Sequence, residues 1–230
     1  KTHNGIKIED KNYSYDFVSG LPFKLTDDQL KVIGEISEDM AGAKPMNRLV
    51  QGDVGSGKTA VAAASIFMAV KNGYQAAMMA PTEILAQQHA EYLSGLFNPL
   101  GITTAFLTGS MRAKEKREAL SRIASGEVCV VIGTHALIQE SVEFKSLGFV
   151  VADEQHRFGV EQRAKLMAKG ENPHMLIMSA TPIPRTLALI LYGDLDISVI
   201  DELPPGRKPV KTYAVNSKTR SRVYNFIEEN

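Results

Sequence analysis

A single cysteine, Cys129, is the only thiol in this 230-residue chain, so no intrachain disulfide can form. It lies in the apolar run Val128-Cys129-Val130-Val131-Ile132, where a buried structural role is expected. Net charge is also absent, since 26 basic residues are balanced by 26 acidic ones. The molecule as a whole therefore has no field that draws nucleic acid, and any such contact has to come from local patches and backbone donors. No apolar run reaches the roughly 18 residues of a membrane helix, and no signal peptide opens the sequence. The expectation is a cytoplasmic protein without a membrane partner, and a monomer. Internal repeats and low-complexity tracts are missing too. What remains is ordinary: 44% hydrophobic and 23% charged residues, enough for one α/β core.

The most informative stretch is Gly52-Asp53-Val54-Gly55-Ser56-Gly57-Lys58-Thr59, which fits the phosphate-binding loop pattern G-x-x-x-x-G-K-[ST]. An apolar run, Arg48-Leu49-Val50, leads into it, and an alanine-rich helical stretch, Thr59 to Val70, leads out. Gly52, Gly55 and Gly57 let backbone N–H groups turn inward around a polyphosphate, and the next helix points its positive end at the same anion. Lys58 is placed to reach the β- and γ-phosphates, and the Thr59 hydroxyl to ligate Mg²⁺. The pattern predicts a nucleoside triphosphate site with ATP and Mg²⁺ as cofactors.

Elsewhere apolar runs and helical stretches alternate. Residues Lys1 to Ser19 read as polar and irregular, and the opening without a methionine implies a piece of a longer chain. Thr26 is a good N-cap for a helix carrying Leu30, Ile33 and Ile36 on one face. Strands are predicted at Gln75 to Ala80, Thr103 to Leu107, Val128 to Gly133, Phe149 to Ala152 and Met175 to Met178. Helices are predicted at Glu83 to Phe97, Arg112 to Ala124, Phe158 to Lys169 and Arg185 to Tyr192. Wholly apolar strands alternating with helices indicate an α/β fold with a mostly parallel sheet covered on both faces, in three layers. The proline-rich stretch from Asp201 to Pro209 reads as a linker. Beyond it, Val210 to Val215 (strand) and Arg222 to Glu228 (helix) read as the beginning of a second domain. The expected organisation is a flank over 1–22, a motor-like domain over 23–200, a linker over 201–209 and a truncated second domain over 210–230.

Phe149-Val150-Val151-Ala152-Asp153-Glu154 is an apolar strand ending in two carboxylates. Parallel sheets place ligands at the carboxyl ends of their strands. Asp153 is expected to hold Mg²⁺, and Glu154 to orient and deprotonate an attacking water. With Lys58, these form the catalytic set.

Asp153-Glu154-Gln155-His156 also resembles the D-E-x-H box of superfamily two helicases and translocases. Further stretches stand in that family's order. Ala80-Pro81-Thr82-Glu83 resembles motif Ia, Thr108-Gly109-Ser110 a following nucleic-acid contact, Gly133-Thr134-His135 motif Ib, and Ser179-Ala180-Thr181 motif III. Gln29, with Phe23 ahead of it, stands where a Q motif recognises adenine. More narrowly, Gly52 to Gly57, Asp153 to Val160, Ala180 to Thr186 and the linker are similar to the RecG family of ATP-dependent branched-DNA helicases. Transcription-repair coupling factors share much of this pattern, but they usually carry a glutamate in place of Gln155 and an aromatic in place of Ser56.

The resemblance implies a RecA-like motor domain, with the wedge domain and the second motor domain of the full-length enzyme lying outside this stretch. It implies that Gln155 and His156 sit by the nucleotide, with His156 coupling, and that Ser179 and Thr181 pass domain closure onward. Pro81, Thr82, Thr108, Gly109, Thr134 and His135 would contact branched or forked DNA. Each of Thr82, Thr108, Gly109 and Thr134 also has a plainer reading, as a strand end or helix cap; loop hydroxyls and N–H groups at strand ends suit phosphate contact as well. Two other functions remain open at this level: a nucleotide- and DNA-binding module without turnover, and a phosphate-loop enzyme acting on a small molecule. These residues alone, without a second motor domain, are expected to hydrolyse ATP negligibly.

Overall fold

Seven apolar segments pair into one sheet in the computed structural model, which describes residues 5–153, 160–181, 195–202, 215 and 219–229. They are β1 (Asn47–Gly52), β2 (Gln75–Met79), β3 (Thr104–Leu107), β4 (Val130–Gly133), β5 (Leu147–Asp153), β6 (His174–Ser179) and β7 (Asp196–Ile200). Their order across the sheet is β3-β4-β2-β5-β6-β1-β7, and every pairing is parallel. All strands therefore end on the same edge.

Between and before the strands lie α1 (Tyr13–Ser19), α2 (Asp27–Ala41), α3 (Lys58–Lys71), α4 (Glu83–Phe97), α5 (Ala113–Ser125) and α6 (Val160–Met167), and a last helix spans Arg220–Glu229. The strands sort their side chains by the two-residue period of a pleated sheet. Val50, Met78, Val151 and Met178 enter one buried cluster with side chains from α1, α2, α3 and α4. Their neighbours Leu49, Met79, Val150 and Ile177 enter a second cluster with Ile123 of α5 and Leu166 of α6. Helices thus cover both faces, and the sheet is the middle of three layers.

Local chemistry fixes the ends of the elements. Thr26 caps α2 in a reciprocal box: its Oγ1 accepts from Gln29 N (3.3 Å), and Gln29 Oε1 accepts from Thr26 N (2.9 Å). The alanines of α3 let it sit closely on the sheet, and Ala60 through Ala69 are all buried. Arg48 of β1 binds α2 and β7 together, through Asp39 (2.7 Å), Glu35 (3.1 Å) and Ser198 Oγ (2.7 Å).

Several expectations shift. The segment read as irregular contains α1, whose Phe17 is buried with its ring 5.1 Å from Phe67 and 5.9 Å from Phe97. A single anchoring aromatic gives too little periodicity to mark a helix. β7 lies outside the expected strands; it is an edge strand in which burial does not follow polarity, Ser198 being buried and Val199 exposed. Cys129 is only partly buried, packs against the first cluster and receives a contact from Thr103 Oγ1 at 3.6 Å. The expected helix Arg185 to Tyr192, the linker from Leu203 onward and most of the strand Val210 to Val215 lie outside the described residues. Among the described residues, no helix is long and apolar enough to cross a membrane.

Candidate nucleotide and nucleic-acid site

The loop Gly52 to Gly57 leaves the end of β1 and turns directly into α3. Gly57, the N-cap of α3, has φ 83° and ψ 21°, a left-handed conformation that favours glycine. A Cβ at Gly57 would also lie 2.1 Å from Gln29 Nε2, so both backbone angle and space require glycine there. Lys58 folds back over the loop, and its Nζ donates to Gly52 O (2.7 Å) and Asp53 O (2.9 Å). Ser56 N donates to Asp53 O at 3.0 Å, and Val54 N to Asp53 Oδ1 at 2.7 Å, so the loop is closed on itself. The Ser56 hydroxyl is fully buried, and among the described residues it has no hydrogen-bond partner. Gly52 packs closely on it: a Cβ at Gly52 would meet Ser56 Oγ at 2.4 Å.

Gln29 links this loop to α2. It is 2% exposed, and its Nε2 donates to Ser56 O at 2.7 Å while its Oε1 accepts from Thr26 N. A carboxamide has two donors and two acceptor lone pairs, so one of each remains for a ligand. Phe23, Lys24, Gln29, Gly57, Lys58 and Thr59 line one cavity of about 480 Å³. Its far wall comes from α4, through Gln88, His89 and Tyr92, none of which the sequence pattern marked. Burial pushes the Tyr92 hydroxyl above its ordinary value, which keeps it a neutral donor.

Asp153 ends β5 and is 8% exposed. Its Oδ2 lies 2.6 Å from His89 Nε2. A carboxylate only accepts, so this imidazole nitrogen carries the proton and donates. Thr59 and Asp153 supply hydroxyl and carboxylate oxygens, the donor type that Mg²⁺ takes. Among the described residues no group of three or more His, Cys, Asp or Glu side chains could hold a metal ion alone, so a metal here would draw its remaining ligands from phosphate and water. Glu154, Gln155 and His156 lie outside the described residues.

Beside Asp153 in the sheet, Ser179 ends β6; Met178 pairs with Asp153, and Ser179 pairs with Gln51 of β1. Ser179 Oγ lies 2.9 Å from Thr181 Oγ1 and accepts from Thr181 N at 3.2 Å, so the two coupling candidates form one small hydroxyl turn. The candidate nucleotide residues thus occupy the ends of β1, β5 and β6, which are contiguous in the sheet.

The remaining candidates occupy the ends of β3, β4 and β2, the other contiguous set. Thr82 follows Pro81 and caps α4, with Oγ1 accepting from Leu85 N at 3.3 Å. Thr108 is 2% exposed, its Oγ1 lies 3.1 Å from Ser110 Oγ, and Ser110 Oγ donates to Glu83 Oε2 at 2.8 Å. Thr134 is 1% exposed, and its buried Oγ1 has no hydrogen-bond partner among the described residues. The exposed members are Gly109 and His135, which approach each other: a Cβ on Gly109 would stand 4.0 Å from His135 Nε2. Arg112 precedes α5, which packs on the second cluster through Ile123, Ala119 and Leu120, leaving Arg112, Lys114 and Arg117 on its exposed face while Lys116 donates to Gln139 Oε1 at 2.7 Å.

Residues 26–190 match the model of the DEAD/DEAH box helicase family. The ATP-dependent DNA helicase RecG of Bacillus subtilis is 54% identical over 213 residues, covering 93% of this chain and 31% of that protein. RecG of Thermotoga maritima is 52% identical over 229 residues, covering 99% of this chain and 29% of that protein. A structure of RecG bound to a three-way DNA junction superimposes with a TM-score of 0.86 at 48% identity, over 98% of this chain and 30% of that one. The chain thus spans about a third of the length of the relatives it matches, and its seven-stranded parallel sheet has the RecA-like helicase fold. By sequence and by fold alike, the chain belongs to the DEAD/DEAH box helicase family.

Proposed function

We propose that this chain is the first motor domain of a RecG-like, ATP-driven translocase that remodels branched DNA. The observation carrying this reading is the division of one sheet edge: phosphate loop, carboxylate and hydroxyl turn at β1, β5 and β6, track-facing residues at β3, β4 and β2. A motor needs those two functions on one rigid body, so that a change at the γ-phosphate moves the grip on the track. The similarity to RecG bound to a three-way junction favours branched DNA as that track.

In this mechanism ATP and Mg²⁺ are the cofactors. Gly52 to Thr59 cradle the triphosphate, Lys58 leaving its loop carbonyls for the phosphates. Phe23 and Gln29 receive the adenine, and the α4 wall closes the cavity behind it. Thr59 and Asp153 would hold Mg²⁺, which when bound would offset phosphate charge. Glu154 would activate water, and the resemblance gives Gln155 and His156 nucleotide-binding roles, His156 also coupling. Ser179 and Thr181 pass closure on, while Pro81, Thr82, Gly109 and His135, together with backbone groups of Thr108 and Thr134, meet the DNA backbone. Contacts of that kind fix register without reading sequence, which suits recognition of a branch by shape. The motor domain spans 23–200, preceded by a flank over 1–22 and followed by a linker over 201–209 and the start of a second domain over 210–230. Such an enzyme works as a monomer in the cytoplasm at the nucleoid.

The test is remodelling of a synthetic three-way junction by the full-length protein. Product strands should appear with ATP and Mg²⁺ and not with a non-hydrolysable analogue. Equal conversion with the analogue would reduce the protein to a DNA-binding module.

A further inference from the structure

We propose that His89 is a positioning residue that ties the metal-binding carboxylate Asp153 to the track-facing end of α4. The inference rests on the assignment of Asp153 to the nucleotide's metal given above. His89 Nε2 and Asp153 Oδ2 are 2.6 Å apart, with side chains 12% and 11% exposed. At that burial the hydrogen bond is shielded from competing water, so it fixes the carboxylate's rotamer more firmly than a surface contact would. His89 also lines the cavity that holds Gln29, Lys58 and Thr59, so it faces the nucleotide site and not only the sheet.

The other end of the connection is equally concrete. His89 lies two turns into α4, roughly 10 Å along the axis from the Thr82 cap at 1.5 Å per residue. At that cap, Glu83 accepts from Ser110 Oγ (2.8 Å), and Ser110 contacts Thr108 (3.1 Å). Further along, Leu93 and Phe97 anchor α4 in the core. A chain of contacts therefore runs from Asp153 through His89 and α4 to Glu83, Ser110 and Thr108. Rigid secondary elements joined by hydrogen bonds are one route by which energetic coupling travels between sites. When the track pulls on the Thr82 and Ser110 end, α4 moves and His89 re-aims Asp153 at the metal. Coupling is reciprocal, so the metal-bound nucleotide shifts the track-facing turn in return.

The experiment uses the full-length protein and two variants. His89→Leu keeps bulk but removes the donor. His89→Gln restores an N–H near the position of Nε2. Two readouts separate positioning from mere packing: the Mg²⁺ affinity of the protein loaded with a non-hydrolysable ATP analogue, read by calorimetry, and the ratio of ATPase with branched DNA to ATPase without it. Loss of a group that orients a metal ligand typically costs about 10–100-fold. In His89→Leu, Mg²⁺ affinity and the stimulation ratio should both fall by about tenfold or more, and His89→Gln should recover most of both. A wild-type ratio in His89→Leu would overturn the proposal, as would a His89→Gln variant no better than His89→Leu. If His89→Leu does not fold, Ser110→Ala cuts the same chain at its far end; there the stimulation ratio should fall at least threefold, and an unchanged ratio would overturn the proposal. Lys58→Ala is run alongside: if it leaves nucleotide binding intact, the site assignment itself fails, whereas a silent His89→Leu beside a damaged Lys58→Ala refutes the coupling alone.

Discussion

Lys58 and His174 are basic side chains of opposite kinds, one held charged at a loop and the other buried neutral. Lys58 donates to Gly52 O and Asp53 O, contacts that keep its ammonium beside the loop without making it part of the core. Lys58→Ala should therefore leave the fold intact and weaken triphosphate binding. A charge-assisted contact contributes about 1.5–3 kcal/mol, or roughly ten- to hundredfold in affinity. Calorimetry with an ATP analogue and Mg²⁺ measures it, and unchanged affinity would remove the phosphate-loop assignment. His174 belongs to the scaffold instead. Its Nδ1 accepts from Met46 N at 2.9 Å, and its other ring nitrogen donates to Ile6 O at 2.6 Å. Burial pushes this imidazole below its ordinary 6.5, against smaller opposing pulls from the Ile6 carbonyl and Asp39. Below 6.5 the unfolded chain takes up a proton that the folded chain refuses. The stability contributed by His174 is therefore fully present above that value and is lost as pH falls towards the lowered folded one. Melting temperature should drop as pH goes from 7 to 5, and His174→Gln should flatten that slope. An equal slope in the variant would assign the pH dependence elsewhere.

At the scale of elements, α2 joins stability to ligand binding through one side chain. Thr26→Ala removes only the hydroxyl of the capping box and should destabilise the domain by about 1 kcal/mol, with nucleotide affinity kept. Gln29→Ala should do more, because Gln29 both closes the box and holds Ser56 O at 2.7 Å. Chemical denaturation beside nucleotide titration distinguishes them; loss of affinity in Thr26→Ala as well would mean the cap itself shapes the loop. The same elements explain what the sequence made legible. β2, β4, β5 and β6 are buried along their whole length, so they read as unbroken apolar runs. The phosphate loop is legible because all its parts are adjacent in the chain. β7 and α1 were hidden, since in one burial does not follow polarity and the other relies on Phe17. The contact of His89 with Asp153 spans 64 positions, and no local spacing encodes it. Nor did the sequence show that Thr108 and Thr134 bury their hydroxyls, because burial depends on how β3 and β4 pack, not on the motif.

On the scale of the whole molecule, the proposed motor rests on the parallel sheet. Every strand ends on one edge, and strand order separates the candidate nucleotide residues at β1, β5 and β6 from the proposed track residues at β3, β4 and β2. α4 crosses between them, starting beside the track residues and reaching Asp153. Hydrolysis itself is assigned to Glu154. Glu154→Gln keeps shape and hydrogen bonding but removes the base, so ATP and DNA should still bind while turnover falls by about 10²-fold or more. A variant that loses binding yet keeps turnover per bound ATP would reverse the roles of Asp153 and Glu154. The most direct measurement of the central claim is steady-state ATPase of the full-length protein with forked DNA, linear duplex and structured RNA as competing stimulators. The account predicts the strongest stimulation by the fork, weaker stimulation by duplex, and little by RNA. Equal stimulation by RNA and fork, or none by any nucleic acid, would contradict it.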